Sequence, residues 1–103
     1  MTDIDAVTLR SWMEQGDVLV VDVRERAEYD EAHIEGVHFM PLSAFNPHHL
    51  PDAQGRKVIF QCRSGGRSEQ ARQVYDAFYP DVENYNFQGG ILAWMEHGFP
   101  VIA

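Results

Sequence analysis

One cysteine, few basic residues and no long apolar run characterise this sequence, and each shortage excludes something. A single cysteine, Cys62, cannot close an intramolecular disulfide. Eight Lys and Arg against sixteen Asp and Glu leave a net charge of −8, which argues against nucleic acid or an anionic membrane surface as partner. No segment approaches the ~20 apolar residues of a membrane span. Met1-Thr2-Asp3-Ile4-Asp5 carries neither a basic n-region nor an apolar h-region, so no secretory signal is expected. With the lone thiol, the expected setting is the reducing cytoplasm. The adjacent His48 and His49 lack a second ligand group at metal-binding spacing, so neither a metal nor another cofactor is implied. There is no internal repeat, linker or low-complexity stretch, and residues 1–103 are expected to form one domain with a sizeable core.

What is present alternates between two periods. Asp5 can cap a helix, with Ile4 and Leu9 as a hydrophobic staple, and Leu9, Trp12 and Met13 recur at helical spacing before Gly16. Val18–Val23 is almost continuously apolar, as a strand buried on both faces reads. Arg24–Ala32 is charged and helix-prone. Its carboxylates, together with Asp22 and Glu35, read as a solvated acidic face. A short strand is expected over Val37–Met40, one helical turn over Leu42–Phe45 and a loop over Asn46–Asp52. Lys57–Gln61 reads as a strand. Ala71, Val74, Tyr75 and Phe78 mark an amphipathic helix over Ser68–Phe78. Asn84–Phe87 reads as a strand, Gly89-Gly90 as a turn, and Ile91–Glu96 as a last helix with Ile91, Leu92, Trp94 and Met95 turned inward. The alternation predicts an α/β fold, a mainly parallel central sheet of about five strands flanked by helices on both faces. In such sheets ligands sit beyond the carboxyl ends of strands, where Cys62 and Asp22-Val23-Arg24 both fall.

The stretch with chemical content is Gln61-Cys62-Arg63-Ser64-Gly65-Gly66-Arg67-Ser68. An apolar strand leads to the thiol, two glycines turn the chain, and a helix opens behind them. A helix N-terminus presents unpaired N–H groups and the positive end of a dipole. Arg63 and Arg67 can pair with an anion. Shifting a thiol down by two units from about 8.5 requires about 2.7 kcal/mol of preferential thiolate stabilisation, within reach of such a cradle. Cys62 is therefore expected to be a nucleophile, with Arg63, Ser64, Gly65, Gly66, Arg67 and Ser68 binding substrate. The turn lacks the Gly-Lys-Ser/Thr ending of a nucleotide-binding loop. A cysteine-dependent phosphatase or arsenate reductase also cradles an oxyanion with Cys, amides and Arg, but phosphatases generally use Cys-x5-Arg. Here position 68 is serine and Arg67 closes a shorter Cys-x4-Arg ring, sized for one added sulfur atom rather than a tetrahedral phosphate.

Cys62–Arg67, Val21-Asp22-Val23-Arg24-Glu25, Glu28-Tyr29 with His33-Ile34-Glu35-Gly36-Val37 and Pro41, and Gly89-Gly90 with Trp94, Gly98 and Pro100-Val101 together resemble the single-domain rhodanese family. Ala32 stands where that family usually has glycine, and Val37 where it usually has alanine. The resemblance implies sulfur transfer through a Cys62 persulfide, from a small anionic donor such as thiosulfate, or from polysulfide or a persulfide, to cyanide, a thiol or a protein acceptor. It implies that Asp22 and Arg24 support the loop rather than touch substrate, that His33 is structural, and that one arginine, Arg67, braces the loop internally. A non-catalytic rhodanese-like binding module is the alternative from a different class.

Overall fold

The computed structural model describes residues 2–103. Five strands form one sheet in the order β1-β5-β4-β2-β3, with every neighbouring pair parallel. They are β1 (Asp3–Ile4), β2 (Val18–Asp22), β3 (His38–Phe39), β4 (Lys57–Gln61) and β5 (Asn84–Phe87). The helices are α1 (Ala6–Gln15), α2 (Arg26–Glu31), α3 (Gly66–Phe78) and α4 (Gly90–Glu96). The alternating α/β pattern and parallel sheet expected from the sequence are present.

Side-chain alternation along the central strands builds two cores. Leu19, Val21, Val58, Phe60 and Cys62 face α3, where they meet Ala71 and Tyr75. Val20, Ile59 and Phe87 face the other way, onto Ala6 and Leu9 of α1 and Ile91 and Trp94 of α4. Helices thus cover both faces, and the central strands are apolar on both sides for that reason. The α1 cap is as expected: the Asp5 carboxylate accepts from Thr8 N–H at 2.8 Å, and Gly16 takes the left-handed C-terminal position at φ 75°.

Several expectations are corrected. β1 has only two residues, too short for a periodic signal, and it pairs with β5 through register rather than propensity. Pro47–His49 forms a 3-10 turn inside the segment read as loop, with Pro at its first position and Asn46 accepting from His48 N–H. Helix α3 begins at Gly66, two residues early, because only Gly65 takes a positive φ, 109°, while Gly66 is already helical. Val74 and Phe78 are exposed, and α3 buries Ser68, Ala71 and Tyr75 instead. Met95 is exposed as well, since α4 turns Ile91 and Trp94 to the sheet.

Candidate active site

Phe60 and Cys62 share the side of β4 that faces α3, so the strand's alternation delivers the sulfur beneath the N-terminus of that helix. Cys62 is 1% exposed and lies on the floor of the turn, with Arg63, Ser64 and Gly66 exposed at its rim. Gly65 N–H donates to Cys62 Sγ at 3.1 Å, and Ser68 Oγ lies 3.3 Å from it. Burial pushes the thiol up, but polar contacts with Ser68 and with the N–H groups of Gly65 and Ser64 outweigh it, leaving Cys62 below the ordinary thiol value. These amides belong to the turn and the first turn of α3, where N–H groups have no intrahelical partner.

The turn is held from behind by the start of α4. Ile91 N–H donates to Cys62 O at 2.9 Å and Leu92 N–H to Arg63 O at 3.2 Å, so these carbonyls point away from the sulfur. Gln61 Nε2 adds a bond to Cys62 O at 2.8 Å. The backbones approach closely enough to require glycine. A Cβ on Gly65 would lie 2.1 Å from Gln88 O, and one on Gly90 2.3 Å from Arg63 O.

The two arginines differ in state. Arg67 forms a bidentate pair with Glu28, Nη1 to Oε1 at 2.7 Å and Nη2 to Oε2 at 2.9 Å. That pair holds the Glu28 carboxyl down at about 2. Arg63 is exposed and enters no ion pair among the described residues. It borders a groove of about 220 Å³ lined also by Arg24, Glu28, Glu31, Leu92 and Met95.

Asp22 and Arg24 lie on the same sheet edge, at the end of the strand beside β4. Asp22, expected among the solvated carboxylates, is fully buried, because Arg24 satisfies it with Nη2 at 2.8 Å and Nε at 3.1 Å, and Arg24 N–H adds a third bond at 3.0 Å. Arg24 Nη2 also donates to Ala32 O at 2.7 Å, fastening the end of α2, the helix that carries Glu28. Neither residue reaches the turn directly; they reach it through Glu28. His33 Nδ1–H donates to Tyr29 O at 2.8 Å, and the imidazole stacks on the Tyr29 ring. His48 Nδ1 sits 2.9 Å from Tyr79 Oη, and among the described residues no cluster of His, Cys, Asp and Glu is able to hold a metal.

Two site contributors were given no site role by the sequence reading, although Glu28 stands in one of the motifs that carry the resemblance. Glu28 looked like one more acidic residue of α2, and nothing local reveals its partner 39 positions away. Asn86 did leave a signal. Asn84 and Asn86 recur at strand spacing in a four-residue strand, and Asn is disfavoured in strands unless its amide has a partner. Both face α3: Asn84 Oδ1 accepts from Arg72 at 3.0 Å, and Asn86 Oδ1 accepts from Ser68 Oγ at 2.6 Å.

The profile of the family described as "Rhodanese-like domain" matches residues 5–97. A sulfurtransferase of Allochromatium vinosum is 33% identical over 105 residues, covering 100% of this chain and 96% of that protein. An uncharacterized protein of Synechocystis is 38% identical over 96 residues, covering 92% of this chain; the chain spans about half of that relative, 52%. The crystal structure of a rhodanese-related protein from Thermoplasma volcanium superposes with a TM-score of 0.84 at 26% identity, covering 99% of this chain and 98% of that one. No helix among the described residues is long and apolar enough to cross a membrane.

Proposed function

Because the chain belongs to the rhodanese-like domain family, we propose that it is a sulfurtransferase that moves a sulfane sulfur through a persulfide on Cys62. The donor is a small sulfur anion such as thiosulfate, polysulfide or a persulfide, and the acceptor is a cellular thiol or a protein, with cyanide serving in the assay. The observation that carries this reading is the position of Cys62 Sγ, at the carboxyl end of β4 and 3.1 Å from the Gly65 amide inside a ring of inward N–H groups.

The reaction has two steps. The Cys62 thiolate attacks the outer sulfur of thiosulfate; the S–S bond of the donor breaks, and sulfite leaves with the electron pair. The new Cys62–S–S⁻ carries its charge among the turn amides, as an oxyanion is held by preorganised donors. The acceptor nucleophile then attacks the terminal sulfur, and Cys62 departs as thiolate. Such covalent catalysis gives ping-pong kinetics. In this scheme Arg63, with Ser64 and Gly66 on the rim, orients the donor's sulfonate oxygens. Arg67 braces the turn through Glu28, and Asp22 with Arg24 supports that brace. The short Cys62-to-Arg67 ring and the nearly buried sulfur favour a slender donor over a phosphate ester. A cytoplasmic setting, with residues 1–103 acting as one unit, completes the proposal.

The test is intact mass after incubation with thiosulfate. The expected result is a gain of one sulfur atom, removed by cyanide or a reductant and absent from Cys62→Ala. No gain with either thiosulfate or polysulfide overturns the proposal, and Cys62-dependent turnover of an aryl phosphate assigns the loop to phosphatase chemistry instead. Arg63→Ala is expected to raise KM for thiosulfate about tenfold, the loss of one charge-assisted contact; an unchanged KM removes Arg63 from donor binding.

A further inference from the structure

A buried chain of polar groups leads away from Cys62 to the edge of the sheet. Ser68 Oγ, 3.3 Å from the sulfur, donates to Asn86 Oδ1 at 2.6 Å. Asn86 Nδ2 donates in turn to Gly65 O at 3.2 Å and to Asp3 Oδ1 at 3.3 Å. Ser68 is 0% exposed and Asn86 3%, so water does not stand in for either partner.

Counting protons fixes the directions. A carbonyl and an ionised carboxylate only accept, so Gly65 O and Asp3 both require the amide NH2 of Asn86 to face them. Oδ1 is left toward Ser68. The Ser68 hydroxyl has one proton, and when Oδ1 takes it, Ser68 Oγ faces the sulfur with a lone pair. That arrangement suits a thiol, whose S–H donates to Oγ. A thiolate needs the opposite. For the hydroxyl to serve it, the O–H must turn to sulfur and leave Asn86 Oδ1 buried without a donor, a costly state.

We propose that Asn86 is a positioning residue for Cys62, which by claiming the Ser68 proton holds the sulfur back from full ionisation and makes the hydroxyl a two-position switch. The inference rests on Cys62 being the reacting sulfur. Its chemical sense is that thiolate nucleophilicity falls as the thiol becomes more acidic. A cradle of inward amides with nothing to oppose it would stabilise a thiolate too unreactive to attack a donor. The charged groups packed around this unit are Arg63 and Arg67 of the turn and α3, Glu69 and Arg72 further along α3, Glu25 and Glu28 from the α2 segment, the Asp22–Arg24 pair at the end of β2, and Asp3 on β1. On this face β5 presents only the neutral Asn84 and Asn86. Carboxyl and guanidinium groups ordinarily titrate far from a thiol, so a change confined to Ser68 and Asn86 is readable against a constant background.

The experiment is a pH titration of thiolate ultraviolet absorbance on the full chain, with native near-UV circular dichroism as the control for folding. In Asn86→Ala the hydroxyl is released to the sulfur, and the midpoint moves down by about one pH unit, a tenfold gain in thiolate at a given pH. Ser68→Ala, which removes a proton already contested, moves the midpoint by less than about half a unit. The double variant titrates where Ser68→Ala does. An unchanged or raised midpoint in Asn86→Ala overturns the proposal, as does a downward shift that persists in the Ser68→Ala background. If Asn86→Ala does not fold, Asn86→Val removes the same acceptor with a side chain suited to a strand. Ser68→Ala is decisive in its own right: a rise of more than about one unit means the hydroxyl serves the sulfur uncontested, and the proposal fails. No sulfur donor enters this measurement, so its failure and a failure of sulfur uptake are separate results.

Discussion

At the scale of single residues, the site rests on two carboxylate–guanidinium pairs of different character. Asp22 and Arg24 are both buried, so each is the other's main compensation for lost hydration. Asp22→Ala leaves a guanidinium in the interior without its partner, and is expected to cost about 3–5 kcal/mol, read as a lowered denaturant midpoint. Glu28 and Arg67 are a third exposed, and their pair is a pH-dependent brace rather than a structural necessity. The Glu28 carboxyl is depressed from 4.5 to about 2 in the folded protein. A depressed carboxyl contributes stability that is complete above its unfolded value and lost as pH falls through its folded one. Glu28→Gln is therefore expected to be less stable than the parent at neutral pH, with the two midpoints converging as pH falls from about 4.5 toward 2. A gap that stays constant down to pH 2 shows that the ion pair is not what the glutamate contributes.

At the scale of elements, the turn between β4 and α3 depends on its glycines unequally. Gly65→Ala forces a side chain into a positive φ of 109° and onto Gln88 O, and Gly90→Ala does the same against Arg63 O. Both are expected to lower Tm by several degrees and to raise the Cys62 titration midpoint, because the amide ring opens. Gly66 lies in the first turn of α3 with open space around its Cβ position. Gly66→Ala is expected to leave Tm unchanged or raise it, by about 0.4–1 kcal/mol of stability. These glycines also mark how far the sequence could be read. The strand, the thiol, the turn and the helix were legible because each has a local cause: an apolar run, a glycine pair and a helical stripe. The backing of the turn by α4 was not, since Gly90 meets Arg63 across 27 positions of chain. The inward face of α3 was misread at Val74 and Phe78, because β5 presents Asn84 and Asn86 to that helix and part of the interface is polar. Helical periodicity registers apolar residues only; it does not register a buried hydrogen-bonded ladder.

At the scale of the whole molecule, a net charge of −8 surrounds a site proposed to take anions. The two effects act over different distances. In the proposed scheme Arg63 acts at contact, whereas the overall field reaches about 30 Å at 0.01 M salt and only about 10 Å at 0.1 M. Raising salt across that range is therefore expected to increase kcat/KM for thiosulfate; a value indifferent to salt means the acidic surface is not felt at the site. The sheet order has a different consequence, in time rather than in space. All neighbouring strands are parallel, and β1 pairs with β5, at opposite ends of the sequence. Contacts of such long sequence separation form slowly. The groups that set the character of Cys62 sit on β4, α3, α4, β5 and β1. During synthesis the thiol emerges before β5 and α4 do, and the turn that holds it is backed only once they dock. The reactivity proposed for Cys62 is therefore expected to arise late in folding, once α4 has docked behind the turn.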